Sequence, residues 1–320
     1  MKNENSNKNK TELIINYNPF ETRVAMVEQG RLVEFYVERA KDRGITGNIY
    51  KGKVVRVLPG MQSAFVEIGV QRTSFLHVSD IQEPIDEEEE DSEEERKKRA
   101  EVRIQDLIKE GNEVMVQAAK EPIGSKGARV TSYVSLPGRY LVFMPTYDKV
   151  AISRRISSEK ERRRLREIVH SMKPPGNGFI IRTVCEGMSK EDIQADMLFL
   201  IKLWQAIQKK KEQVRTPGLV WEELDLTLRI IRDIFSSDID KLVIDSKEEY
   251  ERAKKFVEEF MPHLADRIEL YQGEEDIFDA NGIEIELADA IERKVWLRSG
   301  GHLVIENREA LTSIDVNTGK

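Results

Sequence analysis

Short segments rich in apolar residues dominate the start of the chain. There are three of them, and a turn signal, Asn18-Pro19 or Gln29-Gly30, separates each one from the next. The segments are ELIINY (12–17), TRVAMVE (22–28) and RLVEFYVE (31–38). Short apolar segments bounded by such turn residues are typical of strands, so these residues predict a meander of three strands.

Residues 48–81 are rich in Val, Ile and Phe and carry a glycine at every eighth or ninth position. Short strands at this spacing are typical of a small antiparallel barrel. Strand-like segments at 113–121 and 127–136 would complete the barrel. Residues 82–112, between these two groups of strands, would then be a long insertion between two strands of the barrel.

Three serines in the second half have the spacing of helix N-caps. The pairs are Ser158 with Glu161 and Ser246 with Glu249, and Ser189 precedes a third helix. That third helix carries an apolar stripe at helical spacing, for which we expect core contacts. The stripe consists of Ile193, Met197, Leu200, Ile201, Trp204 and Ile207.

The remaining segments of the second half are shorter. Residues 209–218, KKKEQVRTPG, have the composition of a linker or an exposed turn. A last helix is predicted at 283–293, and strands are predicted at 295–297, 302–307 and 311–317. The fold class expected from these elements is α+β with several domains.

The net charge of the chain comes from one stretch. The 320 residues include 51 basic and 58 acidic side chains, which give a net charge of -7. Residues 83–101 alone contain eleven acids and four bases, a deficit of seven. We read this stretch as a solvated loop insertion, so the rest of the chain is close to neutral and a nucleic-acid partner is not excluded.

Cysteine content and hydropathy limit the class of protein further. No apolar run is long enough for a membrane helix and the first ten residues lack a signal peptide, so a cytoplasmic location is expected. The single cysteine, Cys185, excludes an intrachain disulfide and a Cys-only zinc site. Its strand-like neighbours favour a buried thiol.

Aromatic and basic residues occur together in the barrel segment. Phe65, Phe75 and His77 fall on strands that flank a turn at Gly69, with lysines and arginines nearby. Bases of single-stranded RNA stack on aromatic rings while cations follow the phosphates, so this face could bind RNA. The alternative is that both phenylalanines belong to the barrel core and the cations are ordinary surface residues.

Arg182 and Thr183 end the apolar run GFIIRT. A forked guanidinium beside a hydroxyl can form a compact phosphate pocket, and the basic stretch 153–168 would favour an anionic chain. The alternative is a surface salt bridge beside a solvated threonine.

Polar residues recur at every second position near the end of the chain. In LTSIDVNTG the strand period places Ser313, Asp315 and Asn317 on one face. A carboxylate and an amide at this spacing can present oxygen to Mg²⁺. One carboxylate rarely makes a metal site alone, so a strand-end turn is the interpretation that the spacing alone favours.

The order of these residues resembles a known family. GKVVRVLPGMQSAFVEIG followed by SFLHVSDI resembles the S1 RNA-binding domain, an OB-fold barrel. From about residue 12 to the last residue the chain resembles the ribonuclease E/G family of endoribonucleases, and the ribonuclease G branch more than the ribonuclease E branch. The motifs that carry the resemblance are ETRVA, GNIYKGKV, RVLPGMQSAFVEIG, GARVTSYVSLPGRYLVFMP, GFIIRT, SGGHLVIE and EALTSIDVNTG.

The resemblance implies four structural parts. Residues 11–43 with 225–285 would form an RNase H-like subdomain, into which an S1 domain (44–132) and a 5′-sensor region (133–224) are inserted. Residues 286–320 would begin a DNase I-like catalytic domain that is cut short.

The resemblance also implies the function and its residues. Family members cleave single-stranded, usually AU-rich RNA with the help of Mg²⁺, prefer a 5′-monophosphate, and act in rRNA and tRNA processing and mRNA decay. Asp315 corresponds to a catalytic Mg²⁺ ligand and Asn317 to an accompanying catalytic residue. The 5′-phosphate pocket corresponds to Arg182, Thr183, Gly138 and Val142. The residues expected to contact RNA are Phe65, Phe75, His77, Lys51, Arg72 and Lys126.

Two features of the family have no counterpart before Lys320. These are the second metal-binding aspartate and the paired-cysteine zinc link between subunits, so zinc is not expected in this chain. We therefore expect an N-terminal fragment that binds 5′-monophosphorylated RNA and cleaves it negligibly, and a homo-oligomer only at full length. The rival hypotheses are a non-catalytic S1-type RNA-binding protein and a scaffold whose RNA contacts are incidental.

Overall fold

The computed structural model describes residues 10–81, 102–124 and 126–319. The acidic insertion predicted at 83–101 lies outside these residues. The chain divides into two compact units. The first contains the described residues up to Asp42 and from Asp225 onward, and the second spans Arg43–Leu224.

The described residues form eighteen strands and seven α-helices. The strands are β1 (Thr11–Asn18), β2 (Glu21–Glu28), β3 (Arg31–Arg39), β4 (Ile49–Leu58), β5 (Ser63–Glu67), β6 (Ser74–His77), β7 (Glu113–Lys120), β8 (Arg129–Thr131), β9 (Leu136–Pro137), β10 (Leu141–Met144), β11 (Val150–Ile152), β12 (Gly178–Ile181), β13 (Gly218–Trp221), β14 (Lys241–Ile244), β15 (Ile268–Leu270), β16 (Lys294–Trp296), β17 (His302–Asn307) and β18 (Thr312–Asn317). The helices are α1 (Ile104–Leu107), α2 (Glu159–Met172), α3 (Lys190–Gln213), α4 (Leu226–Asp233), α5 (Lys247–Phe260), α6 (Ile277–Ala280) and α7 (Ile283–Ala290).

A mixed sheet forms the centre of the first unit, with strand order β15-β14-β1-β2-β3. β1, β14 and β15 run parallel, and β2 and β3 continue the sheet in antiparallel fashion, which confirms the predicted meander. Side chains on the two faces of β1 pack into two different hydrophobic cores. Leu13 and Ile15 pack with residues of α4 and α5, whereas Ile14 faces the core that includes Phe278 of α6.

A three-stranded antiparallel sheet, β16-β17-β18, completes the described part of the first unit. Ile314 and Val316 pair in register with Ile305 and Leu303, so all four share one apolar face. Ile314 and Val316 are exposed. The residues between these positions in the sequence form the opposite, more polar face.

The second unit contains a closed five-stranded barrel, which confirms that prediction and fits an OB-like fold. Its strand order is β4-β5-β6-β8-β7, and β7 returns to pair with β4. Ala64, Val66, Leu76, Val116 and Val130 are fully buried inside the barrel. β13 adds to β4 as a further strand, which the sequence patterns did not predict.

Beside the barrel in the same unit lies a four-stranded sheet of order β11-β12-β10-β9. Phe143 and Phe179 pack in its core with ring centroids 4.9 Å apart. The helices α2 and α3 supply further core residues, and both begin at the predicted N-caps, Ser158 and Ser189. The same capping geometry at Ser246 begins α5.

Three local predictions need correction or refinement. The stretch 209–218 is not a linker throughout, because α3 continues to Gln213; Lys, Glu and Gln are good helix formers and no breaker precedes Pro217. The last predicted helix is shorter than expected and ends at Ala290. Cys185 is buried as predicted, but in a 3₁₀ turn after β12 rather than in a strand.

No α-helix within residues 10–81, 102–124 and 126–319 is both long enough and apolar enough to cross a membrane.

Candidate functional site

An aromatic row crosses the outer face of the barrel. Phe65 and Phe75 are cross-strand partners on β5 and β6, and their ring centroids lie 6.4 Å apart in an edge-to-face arrangement. The ring of His77 stacks beside Phe75 at a centroid distance of 6.4 Å. All three side chains are only half-buried. The alternative that both phenylalanines belong to the barrel core is therefore wrong.

Ser79, two residues further along the chain, orients the ring of His77. It caps a short 3₁₀ turn, where its Nδ1 accepts a hydrogen bond from the Ser79 N–H at 3.2 Å. The Ser79 hydroxyl lies 2.8 Å from the same nitrogen. Because Nδ1 accepts, a neutral ring carries its proton on Nε2, which can then donate to an incoming group. The turn thus prepares His77 as a hydrogen-bond donor.

Two arginines lie in register with the aromatic row. Arg56 of β4 is the partner of Phe65, and Arg129 of β8 is the partner of Phe75. Arg56 is exposed, whereas Asp80 accepts two hydrogen bonds from the Arg129 guanidinium, at 2.9 and 3.2 Å. An arginine therefore flanks the pair of phenylalanine rings on each side.

Arg56 was expected beside the aromatic residues from the sequence, whereas three other cations expected to contact RNA, Lys51, Arg72 and Lys126, lie outside the strand pairs of the aromatic row. Lys51 is in the part of β4 that pairs with β7 and forms an ion pair with Glu113 at 3.0 Å. Arg72 donates to the Gly124 carbonyl, which connects its loop with the loop that carries the exposed Lys126. Arg72 and Lys126 thus lie on neighbouring loops, whereas Lys51 is engaged elsewhere on the barrel.

Arg182 and Gly138 come together at one end of the four-stranded sheet. Arg182 directly follows β12, and its guanidinium donates to the Gly138 carbonyl. The Arg182 backbone N–H donates to the Tyr140 carbonyl at 2.9 Å. The loop 138–140 therefore contacts both the side chain and the backbone of this arginine. Val142 pairs with Ile180, which is the next pair into the sheet after Leu141 and Ile181 at its end.

Thr183 faces a second hydroxyl. Its Oγ1 lies 2.8 Å from the Oγ of Ser153, which follows β11. The Ser153 carbonyl accepts from the Arg162 guanidinium at 3.2 Å, which ties this turn to helix α2. The structure thus places two hydroxyls and an arginine at the same sheet end, an arrangement suited to phosphate oxygens.

A carboxylate lies behind this sheet end. Asp196 of α3 accepts N–H hydrogen bonds from three consecutive residues, Arg139, Tyr140 and Leu141, at 3.0, 2.8 and 2.9 Å. Burial raises the pKa of its carboxyl, while these N–H donors and the charge of Arg182 oppose the rise. Asp196 therefore anchors the loop that Arg182 contacts.

Asp315 and Asn317 lie side by side on the polar face of β18. The Asn317 amide donates to the Asp315 carboxylate at 3.0 Å. Cross-strand partners on the same face are Val304 opposite Asp315 and His302 opposite Asn317. Trp296 continues the row beyond His302, with ring centroids 5.1 Å apart. The carboxylate is exposed, so it is accessible to a ligand.

The oxygen donors of Asp315 and Asn317 can be compared with those that Mg²⁺ requires. An exposed carboxylate oriented by an amide suits a hard cation, which takes carboxylate oxygens and waters. Within the part of the chain that the structure describes, no group of three acidic, histidine or cysteine side chains is arranged to hold a metal ion. Asp315 and Asn317 therefore have the donor chemistry for part of a magnesium site.

Sequence patterns missed Ser153, Arg129 and Asp196. Ser153 and Asp196 meet their partners only through long-range contacts, 30 residues to Thr183 and 57 residues to Arg139. One signal was available for Asp196. It lies between Ile193 and Met197 on the apolar stripe of α3, where a charged residue needs a partner.

Comparison with known proteins identifies the same family as the sequence motifs. Residues 135–320 match the model of the ribonuclease E/G family. Ribonuclease G of Haemophilus influenzae is 46% identical over 312 residues, which cover 96% of this chain and 62% of that protein. Ribonuclease G of Escherichia coli K12 is 43% identical over 309 residues, with the same coverage of 96% and 62%.

Ribonuclease E of Haemophilus influenzae is 39% identical over 302 residues, which cover 94% of this chain and 32% of that protein. The chain thus spans 62% of the length of the ribonuclease G relatives and is more similar to them than to this ribonuclease E. The match to the family model extends over more than half of the chain. The protein belongs to the ribonuclease E/G family.

Proposed function

We propose that this chain contains the RNA-binding and 5′-end-sensing parts of an endoribonuclease that cleaves single-stranded, AU-rich RNA. The observation that carries the proposal is the grouping of Arg182, Gly138, Thr183 and Ser153 at one sheet end, within a chain that belongs to this family. The relatives that bear the name ribonuclease G support the reaction class. Its cellular role would be rRNA and tRNA processing and mRNA decay in the cytoplasm.

The aromatic face of the barrel would hold the RNA strand. Bases would stack on the half-exposed rings of Phe65 and Phe75, while Arg56 and Arg129 contact phosphates. His77, with Nε2–H as donor, would contact a base or a phosphate oxygen. Arg72 and Lys126 lie on loops that could extend the track, and Lys51 would contribute only if it leaves Glu113.

The sheet end would bind the 5′-monophosphate. A terminal monophosphate carries more charge than an internal phosphodiester and has three terminal oxygens. Arg182 would supply forked donors, and the hydroxyls of Thr183 and Ser153 would supply short donors to the remaining oxygens. The backbone groups of Gly138 and Val142 would line the edge of the phosphate site. A 5′-hydroxyl end would leave these donors without a charged partner.

Cleavage would take place at Asp315. Bound Mg²⁺ would supply Lewis-acid polarisation of the scissile phosphate and a more acidic water. Asp315 would hold the ion, and Asn317 would keep that carboxylate in place through the 3.0 Å hydrogen bond. The rest of the donor set would come from outside the described residues, since these contain no complete group.

The finer division of the fold forms part of the proposal. The five-stranded barrel is assigned to an S1 domain, the four-stranded sheet with α2 and α3 to a 5′-sensor, and the mixed sheet to an RNase H-like subdomain. The sheet β16-β17-β18 is assigned to a DNase I-like catalytic domain. A homo-oligomer is proposed for the whole protein. With one cysteine, this chain offers no paired-cysteine zinc link.

The enzyme proposal is tested by replacing Asp315 with Ala in a chain extended to the length of the ribonuclease G relatives. Mg²⁺-dependent cleavage of a single-stranded AU-rich RNA should fall by at least about a hundredfold, while RNA affinity stays within twofold. Asp289→Ala, an exposed acidic residue of α7, is the matched control. Unchanged cleavage in Asp315→Ala would remove Asp315 from the reaction.

A non-catalytic RNA-binding protein is the second proposal. The observation in its favour is that the described residues contain a half-exposed aromatic row on the barrel, whereas no group of three acidic, histidine or cysteine side chains among them is arranged to hold a metal ion. The same experiment separates the two, because such a protein has no Mg²⁺-dependent cleavage to lose.

A further inference from the structure

Asp196 occupies an unusual place for a carboxylate. It lies in the second turn of helix α3, between Ile193 and Met197, both of which are buried in the core of the second unit. Three consecutive backbone N–H groups, those of Arg139, Tyr140 and Leu141, donate to its two oxygens. Hydrogen bonds to an ionised carboxylate are roughly twice as strong as hydrogen bonds to a neutral acceptor, so an ionised Asp196 holds these three donors more firmly than an amide would.

Gly138 allows the loop to approach this closely. A Cβ on Gly138 would lie 2.6 Å from an oxygen of the Asp196 side chain, a distance that real Cβ atoms do not reach. The Gly138 N–H donates to the Leu141 carbonyl at 2.7 Å and closes the turn. Glycine and carboxylate together therefore determine the position of residues 138–141.

The same loop fixes Arg182 from two sides. The Gly138 carbonyl accepts from the Arg182 guanidinium, and the Tyr140 carbonyl accepts from the Arg182 backbone N–H. If the loop shifted, the plane of the guanidinium would turn with it. The direction of the Arg182 donors thus depends on the carboxylate that holds this loop.

We propose that Asp196 is the positioning residue of the 5′-phosphate site, and that its three N–H hydrogen bonds set the 5′-end selectivity by holding the loop that orients Arg182. This inference rests on the proposed 5′-end-sensing function. It predicts that selectivity can be lost through a residue that makes no contact with RNA.

Asp196→Asn tests the inference in the chain as it stands. The amide keeps the size of the side chain but replaces one accepting oxygen with a donor, so at least one loop N–H loses its partner. The measurement is fluorescence anisotropy with two RNA oligonucleotides that differ only in a 5′-monophosphate or a 5′-hydroxyl. We expect the preference for the 5′-monophosphate to fall by about tenfold, with affinity for the hydroxyl-ended RNA within twofold of wild type.

Matched variants separate positioning from a general loss of stability. Glu191→Gln changes an exposed carboxylate in the first turn of the same helix and should leave the preference unchanged. Asp196→Glu retains the charge but displaces the carboxylate by one methylene, and should also reduce the preference. In an Arg182→Ala background, Asp196→Asn should cause no further loss, because its effect passes through that arginine.

Three outcomes would overturn the inference. An unchanged preference in Asp196→Asn would show that the loop holds Arg182 without the carboxylate. Tighter binding of the 5′-monophosphate would show that Asp196 acts as an opposing charge instead. Equal losses for both RNAs would show a structural role only. A wild-type chain that binds the two RNAs equally would instead refute the proposed 5′-end sensing itself.

Discussion

The guanidinium of Arg182 donates to the carbonyl of Gly138, a residue 44 positions earlier in the chain. Arginine carries five N–H donors in one plane, so a partner at one of them helps to orient the others. Thr183, the next residue, faces Ser153 across 2.8 Å. Three strand ends thus bring together donors that no single segment of the sequence contains.

Ser153 should contribute to recognition of the 5′-monophosphate. Ser153→Ala removes one of the two facing hydroxyls, and we expect affinity for 5′-monophosphorylated RNA to fall by about five- to tenfold, the value of about one hydrogen bond. Affinity for hydroxyl-ended RNA should not change. Ser157→Ala, at an exposed position of the same loop, is the control for anisotropy titrations. A loss of equal size for both RNAs would contradict this role.

Phe75 should bind bases regardless of the 5′ end. Its ring lies beside both Phe65 and His77, and stacking of one base contributes about 1–3 kcal/mol. Phe75→Ala should therefore weaken binding of single-stranded RNA by that amount, equally for monophosphate and hydroxyl ends. Phe20→Ala changes a phenylalanine that is 81% exposed and lies outside the barrel, which makes it the control. Wild-type affinity in Phe75→Ala would place RNA elsewhere.

The Cys185 thiol should be inert in the folded protein. Burial raises its pKa from 9.0 to about 12, so almost no thiolate exists at neutral pH. At pH 8 a thiol reagent such as DTNB should label fewer than about one molecule in ten within an hour, and should react fully in denaturant. Rapid labelling under native conditions, measured at 412 nm, would show that the core around α3 opens.

Glu161 should make stability depend on pH in the acidic range. Hydrogen bonds from Arg164 and the Gly187 N–H lower the pKa of its carboxyl from 4.5 to about 2. Its contribution is thus complete above pH 4.5 and is lost as the pH falls towards 2. Because the pair is partly exposed, we expect Glu161→Gln to reduce the free energy of unfolding at pH 7 by less than about 1 kcal/mol.

Urea denaturation at several pH values measures this effect. The difference between wild type and Glu161→Gln should shrink below pH 4, whereas Glu167→Gln, an exposed position of the same helix, should show no such trend. A difference that stays constant down to pH 2 would contradict the ion pair as its cause.

Sequence patterns predicted many strands and helix starts because turns and helix caps depend on residues that are close together in the sequence. The strands β1 to β3 arise from short apolar segments bounded by turn residues. The caps Ser158, Ser189 and Ser246 each accept an N–H from the third residue of their helix. The barrel followed from glycine spacing. The continuation of α3 to Gln213 was missed because a run of charged residues fits an exposed helix end as well as a linker.

The candidate site was predictable only in part. Arg182 and Thr183 are adjacent in sequence, so their pattern was visible, whereas Ser153 and Asp196 join them through tertiary contacts. For the same reason Lys51 was expected beside the aromatic row although its strand pairing directs it to Glu113. Residue types and their spacing thus identify donors, but only the fold decides which donors meet.

The most direct test of 5′-end recognition is the affinity of this chain for three RNA oligonucleotides of one sequence at fixed salt. One carries a 5′-monophosphate, one a 3′-monophosphate of equal charge, and one a hydroxyl at both ends. We predict that wild type binds the 5′-monophosphorylated RNA about tenfold more tightly than either of the others. Arg182→Ala should abolish this preference, and Arg163→Ala, an exposed arginine of α2, should keep it. Equal affinity of wild type for the 5′- and 3′-phosphorylated RNAs would contradict the assignment of Arg182 and Thr183 to a 5′-phosphate site.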